Sequence, residues 1–425
     1  MKLLYIVIDG MGDLPIEKLN NQTPLEAAKT PNMDKLAKDG KTGLMYTVKQ
    51  GIAPESDVAV ISLLGYDPFK YSTGRGIIEA VGADIKLKDG ELAVRCNFAT
   101  AGEGKTLIDR RVGRNLTTEE ATELCIAARQ QVTLTSHPAT FEFKNTLGHR
   151  SVLVIRHKEK KLSGKISNSD PAYDIIDGLG VAVKNVEMVV KTVKPLDDSQ
   201  EAKISADLVN EFIEKTRNIW ENHPVNLKRV SEGNLKANVL LTRDARSKLP
   251  AFFDINRCYD VSFYALADMI TERGIAKLAG MDAELLPPPS GDLKKDCELR
   301  AKRLLEVLPN YDCFYIHLKG PDEPGHDGDC ERKTEIIAAI DQHFFGNLLP
   351  QIKLDQTIIC ITADHSTPCN LKIHSDTPVP LLISGGKIVN DATTCFSEKE
   401  CSKGNLGTLN YGHDFMPKLM QLLKA

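Results

Sequence analysis

Acidic and imidazole side chains lie at several points where an apolar run of the sequence ends. The segment GPDEPGHDGD follows the apolar run CFYIHL and places Asp322 and His326 four positions apart. Asp9 ends the run KLLYIVIDG, and the pair Asp364 and His365 ends the run TIICITADH. Carboxylate and imidazole groups are suitable ligands for Mn, Zn, Mg or Co, so this pattern indicates a metal site.

A further candidate ligand, His374, precedes the apolar run VPLLISGG. The segment that carries Asp322 and His326 is so polar and so rich in glycine that we predict a loop. A single Asp or His in a loop is usually a solvated turn residue, and one D-x-x-x-H spacing recurs by chance. Two metal ions about 4 Å apart need six or seven ligands, and only the joint occurrence of these residues favours a metal site.

Ser56 is the candidate nucleophile because it opens the helical pattern SDVAVISLL. The simpler interpretation is that Ser56 only caps the helix, which is a common role of serine. The two roles are compatible, since the N-terminus of a helix attracts a phosphoryl group. A serine bound to a divalent cation at that place could lose its proton and attack phosphorus.

Arginines and other polar residues cluster in the segments RCNFAT, IDRRVGRN, GHR and LTRDAR. Guanidinium groups bind carboxylate and phosphate in a bidentate way, so these segments favour the binding of an anionic substrate. The alternative is a solvated surface in which some arginines simply pair with acids. The residues concerned are Arg95, Asn97, Asp109, Arg110, Arg111, Arg114, Asn115, His149, Arg150, Arg243 and Arg246.

Alternation of strands and helices predicts the architecture that positions these side chains. The four apolar runs quoted above are continuous and rich in Ile, Val and Leu, as in parallel strands that are buried on both faces. Helical patterns at about 301–308 and 333–349 separate them, so we predict an α/β fold with a mostly parallel sheet flanked by helices. Functional groups in such sheets lie at the carboxyl ends of the strands, where the acidic residues fall.

A length of 425 residues favours two domains rather than one. Hairpin patterns around KDGE and in TFEFKNTLGHRSVLVIRH, together with the helical pattern SADLVNEFIEKTRNIWENH, predict an α+β domain from 82 to 233. We expect this domain to be inserted into a metal-binding domain formed by 1–81 and 234–425.

The composition is typical of an enzyme of the cytoplasm. The chain is 42% hydrophobic and 26% charged with a formal net charge of −4, and no basic stripe indicates nucleic-acid binding. Ten cysteines occur without a Cys-x-x-Cys pair, which argues against a zinc ribbon and a secreted disulfide framework. The first apolar run is too short for a signal peptide, and no window reaches the length of a membrane span. We therefore expect neither a nucleic-acid nor a membrane partner, and the oligomeric state stays open.

Nine segments, in order along nearly the whole chain, resemble those of archaeal-type, 2,3-bisphosphoglycerate-independent phosphoglycerate mutases of the alkaline phosphatase superfamily. They are VIDGMGD, QTPLEAAKTPNMDKLAKDG, SDVAVISLLGYDP, TGRGIIEAVGA, RCNFAT, DRRVGR, KGPDEPGHDGD, TADHSTP and HSDTPVP. The resemblance implies an alkaline-phosphatase-like sheet with an inserted, substrate-capping domain. It also implies an isomerase of glycolysis and gluconeogenesis that interconverts 3-phosphoglycerate and 2-phosphoglycerate through a phosphoserine on Ser56.

The resemblance also implies two divalent metal ions and no 2,3-bisphosphoglycerate as cofactors. Mn²⁺ is the expected metal, with Mg²⁺, Co²⁺ and Zn²⁺ as alternatives. Seven residues are the implied ligands: one ion is held by Asp322, His326 and His374, and the other by Asp9, Asp364, His365 and the Ser56 oxygen.

A small phosphorylated carboxylic acid is the expected substrate, and the inserted domain would close over it. Asp109 with Arg110 is the first choice for the transfer of the hydroxyl proton, and His149 and Lys319 are the alternatives. The expected substrate contacts are Arg95, Asn97, Arg114, His149, Arg150, Arg243 and Lys319.

Two positions depart from the pattern of that family. Glu55 stands where the family usually has Gly before the nucleophile, and TRDAR, with Asp244 and Arg246, replaces TRGAG. Two other functions fit the same metal ligands: a phosphohydrolase or phosphopentomutase of the superfamily, or a non-catalytic relative that binds a phosphometabolite. The segments NFAT and DRRVGR favour the mutase over the other enzymes, and the complete set of ligands favours an enzyme over a binding protein.

Overall fold

A computed structural model describes residues 1–71, 74–176, 179–183 and 187–424 of the chain. The chain divides into two compact units, Met1–Ser72 with Ala251–Ala425, and Thr73–Pro250. The second unit extends beyond the predicted insert of 82–233 at both ends, because the helix Arg75–Gly82 and the strand Val239–Arg246 pack within it. Within the described ranges, every helix is too short or too polar to cross a membrane.

The strands of the described ranges are numbered along the chain. They are β1 (Lys2–Ile8), β2 (Gly40–Met45), β3 (Leu92–Ala101), β4 (Leu107–Asp109), β5 (Ala139–Leu147), β6 (Arg150–His157), β7 (Tyr173–Ile176), β8 (Leu179–Ala182), β9 (Val239–Arg246), β10 (Phe263–Ala267), β11 (Asp282–Leu285), β12 (Cys313–Leu318), β13 (Thr357–Thr362), β14 (Val379–Gly385) and β15 (Gly407–Leu409).

The α-helices of the described ranges are numbered in the same way. They are α1 (Pro24–Ala27), α2 (Pro31–Lys38), α3 (Ser56–Leu63), α4 (Pro68–Tyr71), α5 (Arg75–Gly82), α6 (Thr118–Gln131), α7 (Gln200–Trp220), α8 (Pro224–Ser231), α9 (Ile255–Tyr259), α10 (Ile270–Leu278), α11 (Leu293–Val307), α12 (Asp322–Asp327), α13 (Cys330–Ala339), α14 (Gly346–Leu348), α15 (Glu398–Cys401) and α16 (Phe415–Lys424).

An eight-stranded sheet forms the first unit, with the strand order β11-β10-β12-β1-β13-β14-β2-β15. Neighbouring strands run parallel from β11 to β13, whereas β14 runs antiparallel to both of its neighbours. The predicted α/β fold with a mostly parallel sheet is therefore confirmed. The central strands β12 and β13 are buried at every position, which explains why their sequences are apolar throughout instead of alternating.

One edge of this sheet collects the polar residues that the sequence singled out. The parallel strands β12, β1 and β13 end there, and the antiparallel strand β14 begins there. Asp9 directly follows β1, Asp364 lies two positions after β13, and His374 precedes β14. Residues far apart in the sequence therefore lie close together at the carboxyl ends of the strands, as expected for an open α/β sheet.

The segment GPDEPGHDGD is not the predicted loop, because its middle forms α12. Gly328 ends this helix in a left-handed conformation with a φ of 79°, which glycine adopts without steric cost. Side chains four positions apart lie on the same side of a helix, so α12 presents Asp322 and His326 together. The short helix fixes the relative placement of these two side chains more firmly than a solvated loop would.

The second unit is an α+β domain with a five-stranded antiparallel sheet. Strands β4, β3, β6 and β5 are consecutive, and β9 also pairs with β3. A separate hairpin joins β7 and β8. The core contains Phe98 and Phe143, whose rings contact Trp220 at centroid distances of 4.9 and 6.0 Å.

Of the two hairpins predicted in this unit, one is confirmed and one is wrong. Strands β5 and β6 form the hairpin predicted from TFEFKNTLGHRSVLVIRH. The segment before the KDGE turn forms no strand, because the backbone around that turn bonds to distant parts of the chain. The Gly90 amide donates to the Ser247 carbonyl, and the Leu162 amide donates to the Gly90 carbonyl.

A buried ion pair connects the loop after β1 to helix α13 and to the loop after β13. Lys333 Nζ lies 2.8 Å from Asp13 Oδ2 and donates to the carbonyls of Gly12 and Thr367, and both charged side chains are fully buried. Asp13 in turn accepts a hydrogen bond from the Cys369 amide. One ammonium group therefore connects the loop after β1 to the loop after β13.

Replacing the ammonium by an apolar side chain tests this role. We expect Lys333→Met to lower the free energy of unfolding of the metal-free protein by about 3–5 kcal/mol, because Asp13 is left charged and buried. Urea denaturation measures the change. The control is Lys18→Met, which removes an exposed ion pair with Glu331 and is expected to have no measurable effect. Equal stability of Lys333→Met and the unaltered protein would contradict the assignment.

Candidate metal centre

The structure brings all seven predicted metal ligands together at the edge of the main sheet, in two groups. In the first group, the Nε2 atoms of His326 and His374 lie 3.2 Å apart. Asp322 Oδ1 lies 3.4 Å from the former and 3.5 Å from the latter. The His365 ring stacks on the His374 ring with a centroid distance of 3.7 Å, which places the two groups side by side.

The second group surrounds His365 Nε2. This nitrogen lies 3.2 Å from Asp364 Oδ2 and 3.5 Å from Asp9 Oδ1. Ser56 Oγ lies 3.2 Å from the same nitrogen, at the first position of α3. The N-cap of α3 is Glu55, so the interpretation of Ser56 as a simple cap is wrong.

Hydrogen bonds fix the orientation of the imidazole rings of the first group. His326 Nδ1 donates to the Lys372 carbonyl at 3.1 Å, and His374 Nδ1 donates to the Pro54 carbonyl at 2.7 Å. A carbonyl oxygen only accepts, so the proton of each neutral ring sits on Nδ1. Burial opposes the charged form of His374, but Asp322 and then the Pro54 carbonyl raise its pKa to about 9, so without a cation its Nε2 donates towards Asp322. In the neutral rings each Nε2 presents its lone pair at the same place, which is the arrangement found for histidine ligands of metals.

Thr367 connects the two groups and was not singled out from the sequence. Its hydroxyl donates to Asp322 Oδ1 at 2.7 Å, and its oxygen lies 3.0 Å from His365 Nδ1. Because the hydroxyl proton goes to the carboxylate, the oxygen accepts the Nδ1 proton of His365. His365 Nε2 is thereby left free to face Ser56.

The two carboxylates of the second group each use one oxygen for the protein and leave the other bare. Asp364 Oδ1 accepts from the amides of Gly10 and His365, and Asp9 Oδ2 pairs with Lys319 Nζ at 3.0 Å. Asp9 Oδ1 and Asp364 Oδ2 are buried and have no hydrogen-bond partner among the described residues. Bare buried carboxylate oxygens cost free energy, so these residues fit a cation.

The charges around the second group also favour the binding of a cation. Burial, and then the charge of Asp9, raise the pKa of Asp364 to about 7. Burial also disfavours the charged form of Asp9, but Lys319, followed by His317 and His365, holds its pKa well below the usual range. Of these two carboxylates, Lys319 forms an ion pair with Asp9 only. Its charge also favours ionised Asp364 but leaves the pKa of that carboxyl raised, so full ionisation of both groups at pH 7 requires further positive charge.

Gly10 allows the loop after β1 to approach α12 closely. It has a φ of +60°, and a Cβ atom there would lie 2.7 Å from Asp322 Cα and 2.8 Å from Thr367 Oγ1. A side chain at this position would displace the two residues that orient the first group.

Lys319 was predicted to contact substrate, and the structure places its ammonium group between two carboxylates of the first unit. Besides Asp9, it contacts Glu272 Oε1 at 2.9 Å. Its amide donates to Asp268, which forms a buried ion pair with Arg300. Sequence reasoning missed Glu272 and Asp268, although Asp268 follows the short apolar strand β10 in the same way as Asp9 follows β1.

The predicted substrate contacts of the second unit lie mostly on its antiparallel sheet. Arg95 on β3 is opposite Arg243 on β9, and Asn97 is opposite Arg150 on β6. Arg95 Nε lies 3.0 Å from the buried carboxylate of Glu79, a residue that the sequence analysis missed. These strands therefore bring together three of the arginines that the sequence listed in separate segments.

The segment IDRRVGRN contributes differently from the sheet arginines. Arg110 forms two hydrogen bonds of 2.8 Å with the buried Asp170, and Asp109 Oδ1 accepts from the amides of Arg111 and Gly113. Asp109 thus holds the loop, whereas Arg114 is exposed.

Tyr173, a residue missed in the sequence, lies between two arginine side chains. The Arg243 guanidinium lies 3.9 Å from the centroid of the Tyr173 ring, and that of Arg110 lies 5.3 Å from it. Burial opposes ionisation of Tyr173, but Arg243 and Arg110 lower its pKa below the usual value. The positive charge of these arginines therefore stabilises a negative charge on a neighbouring group, as expected for an anion-binding site.

The pKa of His149 is lowered by the same positive charges. Burial, and then Arg150, Arg111 and Arg114, lower its pKa to about 4. The imidazole is therefore neutral at pH 7.

Comparisons with known proteins agree with this fold. A family model described as 2,3-bisphosphoglycerate-independent phosphoglycerate mutase matches residues 37–226. The chain is 42% identical to the 2,3-bisphosphoglycerate-independent phosphoglycerate mutase of Aeropyrum pernix, with 100% of both chains covered.

Solved structures also resemble this chain over its whole length, and two of them illustrate the similarity. The PH0037 protein from Pyrococcus horikoshii superposes with a TM-score of 0.81 at 32% identity and covers 100% of this chain and 97% of its own. The cofactor-independent phosphoglycerate mutase from Thermoplasma acidophilum gives a TM-score of 0.66 at 28% identity, with 100% of both chains covered.

Removing the hydroxyl of Thr367 tests whether it orients both groups of ligands. We expect Thr367→Val to weaken Mn²⁺ binding by about 10–100-fold, because Asp322 and His365 each lose a hydrogen bond. Titration with Mn²⁺, followed by the electron paramagnetic resonance signal of the free ion, measures the change. Thr367→Ser keeps the hydroxyl and is the control, and equal affinities of the two variants would contradict the role.

The positive charge of the neighbouring arginines leads us to predict a low pKa for His149. We expect its ring to titrate near pH 4 and its pKa to rise when phosphate binds, because the anion offsets the neighbouring guanidinium groups. NMR of ¹⁵N-histidine-labelled protein measures the titration, and His149→Gln identifies the signal. Arg150→Met should also raise the pKa, and a pKa near 6.5 without any anion would contradict the arrangement.

Proposed function

Because the chain belongs to the family of 2,3-bisphosphoglycerate-independent phosphoglycerate mutases, we propose that it interconverts 3-phosphoglycerate and 2-phosphoglycerate through a phosphoserine on Ser56. The observation that supports this most directly is the position of Ser56 Oγ, 3.2 Å from His365 Nε2 at the start of α3. A hydroxyl group at a helix N-terminus, beside buried metal ligands, is placed to receive a phosphoryl group. No 2,3-bisphosphoglycerate is then required, because the serine carries the group between the two hydroxyls of glycerate.

The residues of the metal centre fit two divalent cations, and Mn²⁺ is the proposed metal. Asp322, His326 and His374 would hold one ion, and Asp9, Asp364, His365 and Ser56 would hold the other. When bound, such cations lower the pKa of a coordinated hydroxyl and neutralise the charge of the phosphoryl group.

The side chains of the first unit prepare Ser56 for attack on phosphorus. The rings of His365 and His374 stack on each other, and a hydrogen bond at Nδ1 fixes the orientation of each ring. The Nε2 atom of His365 is therefore held in a fixed position next to Ser56 Oγ. The N-terminal end of the α3 dipole and the ammonium of Lys319 supply positive charge for the transferring phosphoryl group. Phosphoryl transfer depends mainly on such positioning and charge neutralisation.

The second unit is the proposed substrate-binding and capping domain. Arg95, Asn97, Arg150 and Arg243 on its sheet, together with the exposed Arg114, are the proposed contacts of the carboxylate and the phosphoryl group. The glycerate freed by the first transfer has to be retained and shielded from water, since water would otherwise hydrolyse the phosphoserine.

Proton transfer to and from the glycerate hydroxyls is the second task of this unit. Asp109, with Arg110 in the same segment, remains the proposed acid and base. His149 is the alternative in the same unit, although its pKa of about 4 makes the neutral ring a weak base at pH 7.

The wider setting follows from this reaction. We propose that the enzyme works in the cytoplasm, in glycolysis and gluconeogenesis, with small phosphorylated acids as its partners and neither nucleic acid nor membrane.

Assay of the purified, Mn²⁺-loaded protein with 3-phosphoglycerate tests the proposal. We expect 2-phosphoglycerate to form without added bisphosphoglycerate, as detected by coupling to enolase. Ser56→Ala should lower the rate by about 10³-fold or more, because the phosphoryl acceptor is lost. Ser402→Ala, which changes an exposed serine of the same unit, is the control and should keep full activity.

The same assay separates the mutase from related enzymes. Release of inorganic phosphate without 2-phosphoglycerate would indicate a phosphohydrolase and contradict the proposal. Acid quenching with ³²P-labelled substrate should leave label on Ser56, and label on another residue would also contradict it.

A further inference from the structure

His317 is a fully buried histidine in β12 and has no role in the proposed reaction as described above. It lies opposite Val7 in the register of β12 with β1, one position before the last residue of each strand. Its Nδ1 atom lies 2.9 Å from the hydroxyl of Tyr315, which is also fully buried. Its Nε2 atom has no hydrogen-bond partner among the described residues.

The free Nε2 atom points at the two bare carboxylate oxygens of the metal centre. It lies 3.9 Å from Asp9 Oδ1 and 3.7 Å from Asp364 Oδ2. These three atoms lie within 4.8 Å of one another, and all three residues are buried. Three polar atoms thus converge on one point, and each lacks the partner that a buried polar atom normally has.

A hydrogen bond from His317 does not account for this arrangement. Both separations exceed the range of about 2.7–3.2 Å in which N–H groups bond to oxygen. The other polar atoms of these residues are already engaged: Asp9 Oδ2 with Lys319, and Asp364 Oδ1 with two backbone amides. The bare atoms are therefore not free to pair elsewhere by a small rotation.

A cation accounts for the separations. Two ligands that each lie about 2.1 Å from one ion are 3.7–3.9 Å apart when the angle between them is roughly 120–140°. The ring of His317 is held by Tyr315 at Nδ1, just as the other histidines of the centre are held at Nδ1 by an oxygen atom. A tyrosine hydroxyl both donates and accepts, and in the tautomer in which it accepts the Nδ1 proton, Nε2 offers its lone pair to a cation.

We propose that His317 is a ligand of the divalent ion bound by Asp9 and Asp364, in addition to the ligands named above. The ion of the second group then has two imidazole ligands, His365 from the loop after β13 and His317 from within β12. The proposal rests on the proposed function for the presence of an ion at this place. A ligand on a fully buried strand makes this ion the more firmly anchored of the two.

Spectroscopy of bound Mn²⁺ tests the proposal without any turnover. In the full-length variant His326→Ala/His374→Ala, the imidazoles of the first group are removed, so one Mn²⁺ remains at Asp9 and Asp364. Pulsed electron paramagnetic resonance on protein labelled with ¹⁵N-histidine then counts the coordinated imidazoles. We expect two couplings, and one after the further change His317→Gln. A single coupling that His317→Gln leaves unchanged would overturn the proposal, as would two couplings that both persist in His317→Gln.

Equilibrium titration of the otherwise unaltered chain provides the second readout. We expect His317→Gln to weaken one of two Mn²⁺ binding events by at least about 10-fold, and His343→Gln, a partly exposed histidine of the same unit, to change neither. Tyr315→Phe keeps the ligand and loses only its orienting partner, so a smaller loss of affinity is expected. Unchanged Mn²⁺ affinity in His317→Gln would overturn the proposal.

These measurements separate the failure of this inference from the failure of the proposed function. If no 2-phosphoglycerate forms, the function is wrong, but the number of imidazole couplings is still counted. If 2-phosphoglycerate forms and only one imidazole is found, the function stands and the role of His317 is wrong.

Discussion

The metal centre depends on one constraint: a buried imidazole or carboxylate has to satisfy its polar atoms, and here each group satisfies only part of them within the protein. His326, His374 and His365 each engage Nδ1 with an oxygen atom and leave Nε2 facing a carboxylate. Asp9 and Asp364 each leave one oxygen bare and buried. These bare atoms lower the stability of the folded protein, and other interactions of the fold offset the loss. A bound cation would supply the missing interaction and stabilise the fold.

The fold supplies the rigidity that keeps these atoms in place. Fully buried parallel strands end at one edge of the sheet, and the antiparallel strand β14 brings His374 back to the same edge. The buried Lys333 ties together the loops after β1 and β13, and Gly10 lets the first of these loops touch α12. Since the ligands come from strand ends and from loops fixed in this way, the site is largely formed before any ion binds.

The sequence predicted the strands and the acidic strand ends because continuous apolar runs followed by Asp are a strong signal for a buried parallel sheet. His317 gave no comparable signal, since one histidine inside an apolar run does not interrupt the pattern. Thr367 was missed because its role depends on two partners that are far away in the sequence. The failed hairpin at KDGE has a similar cause: the backbone partners of Gly90 lie in distant segments that a local turn pattern does not reveal.

Diffraction from crystals grown with Mn²⁺, recorded at the Mn absorption edge, locates the bound ions. We predict two anomalous peaks in the first unit. One should lie within about 2.0–2.3 Å of ligand atoms from Asp322, His326 and His374, and the other at the same distance from Asp9 and Asp364. A single peak, or peaks that lie away from the bare oxygens of Asp9 and Asp364, would contradict a centre that holds two ions.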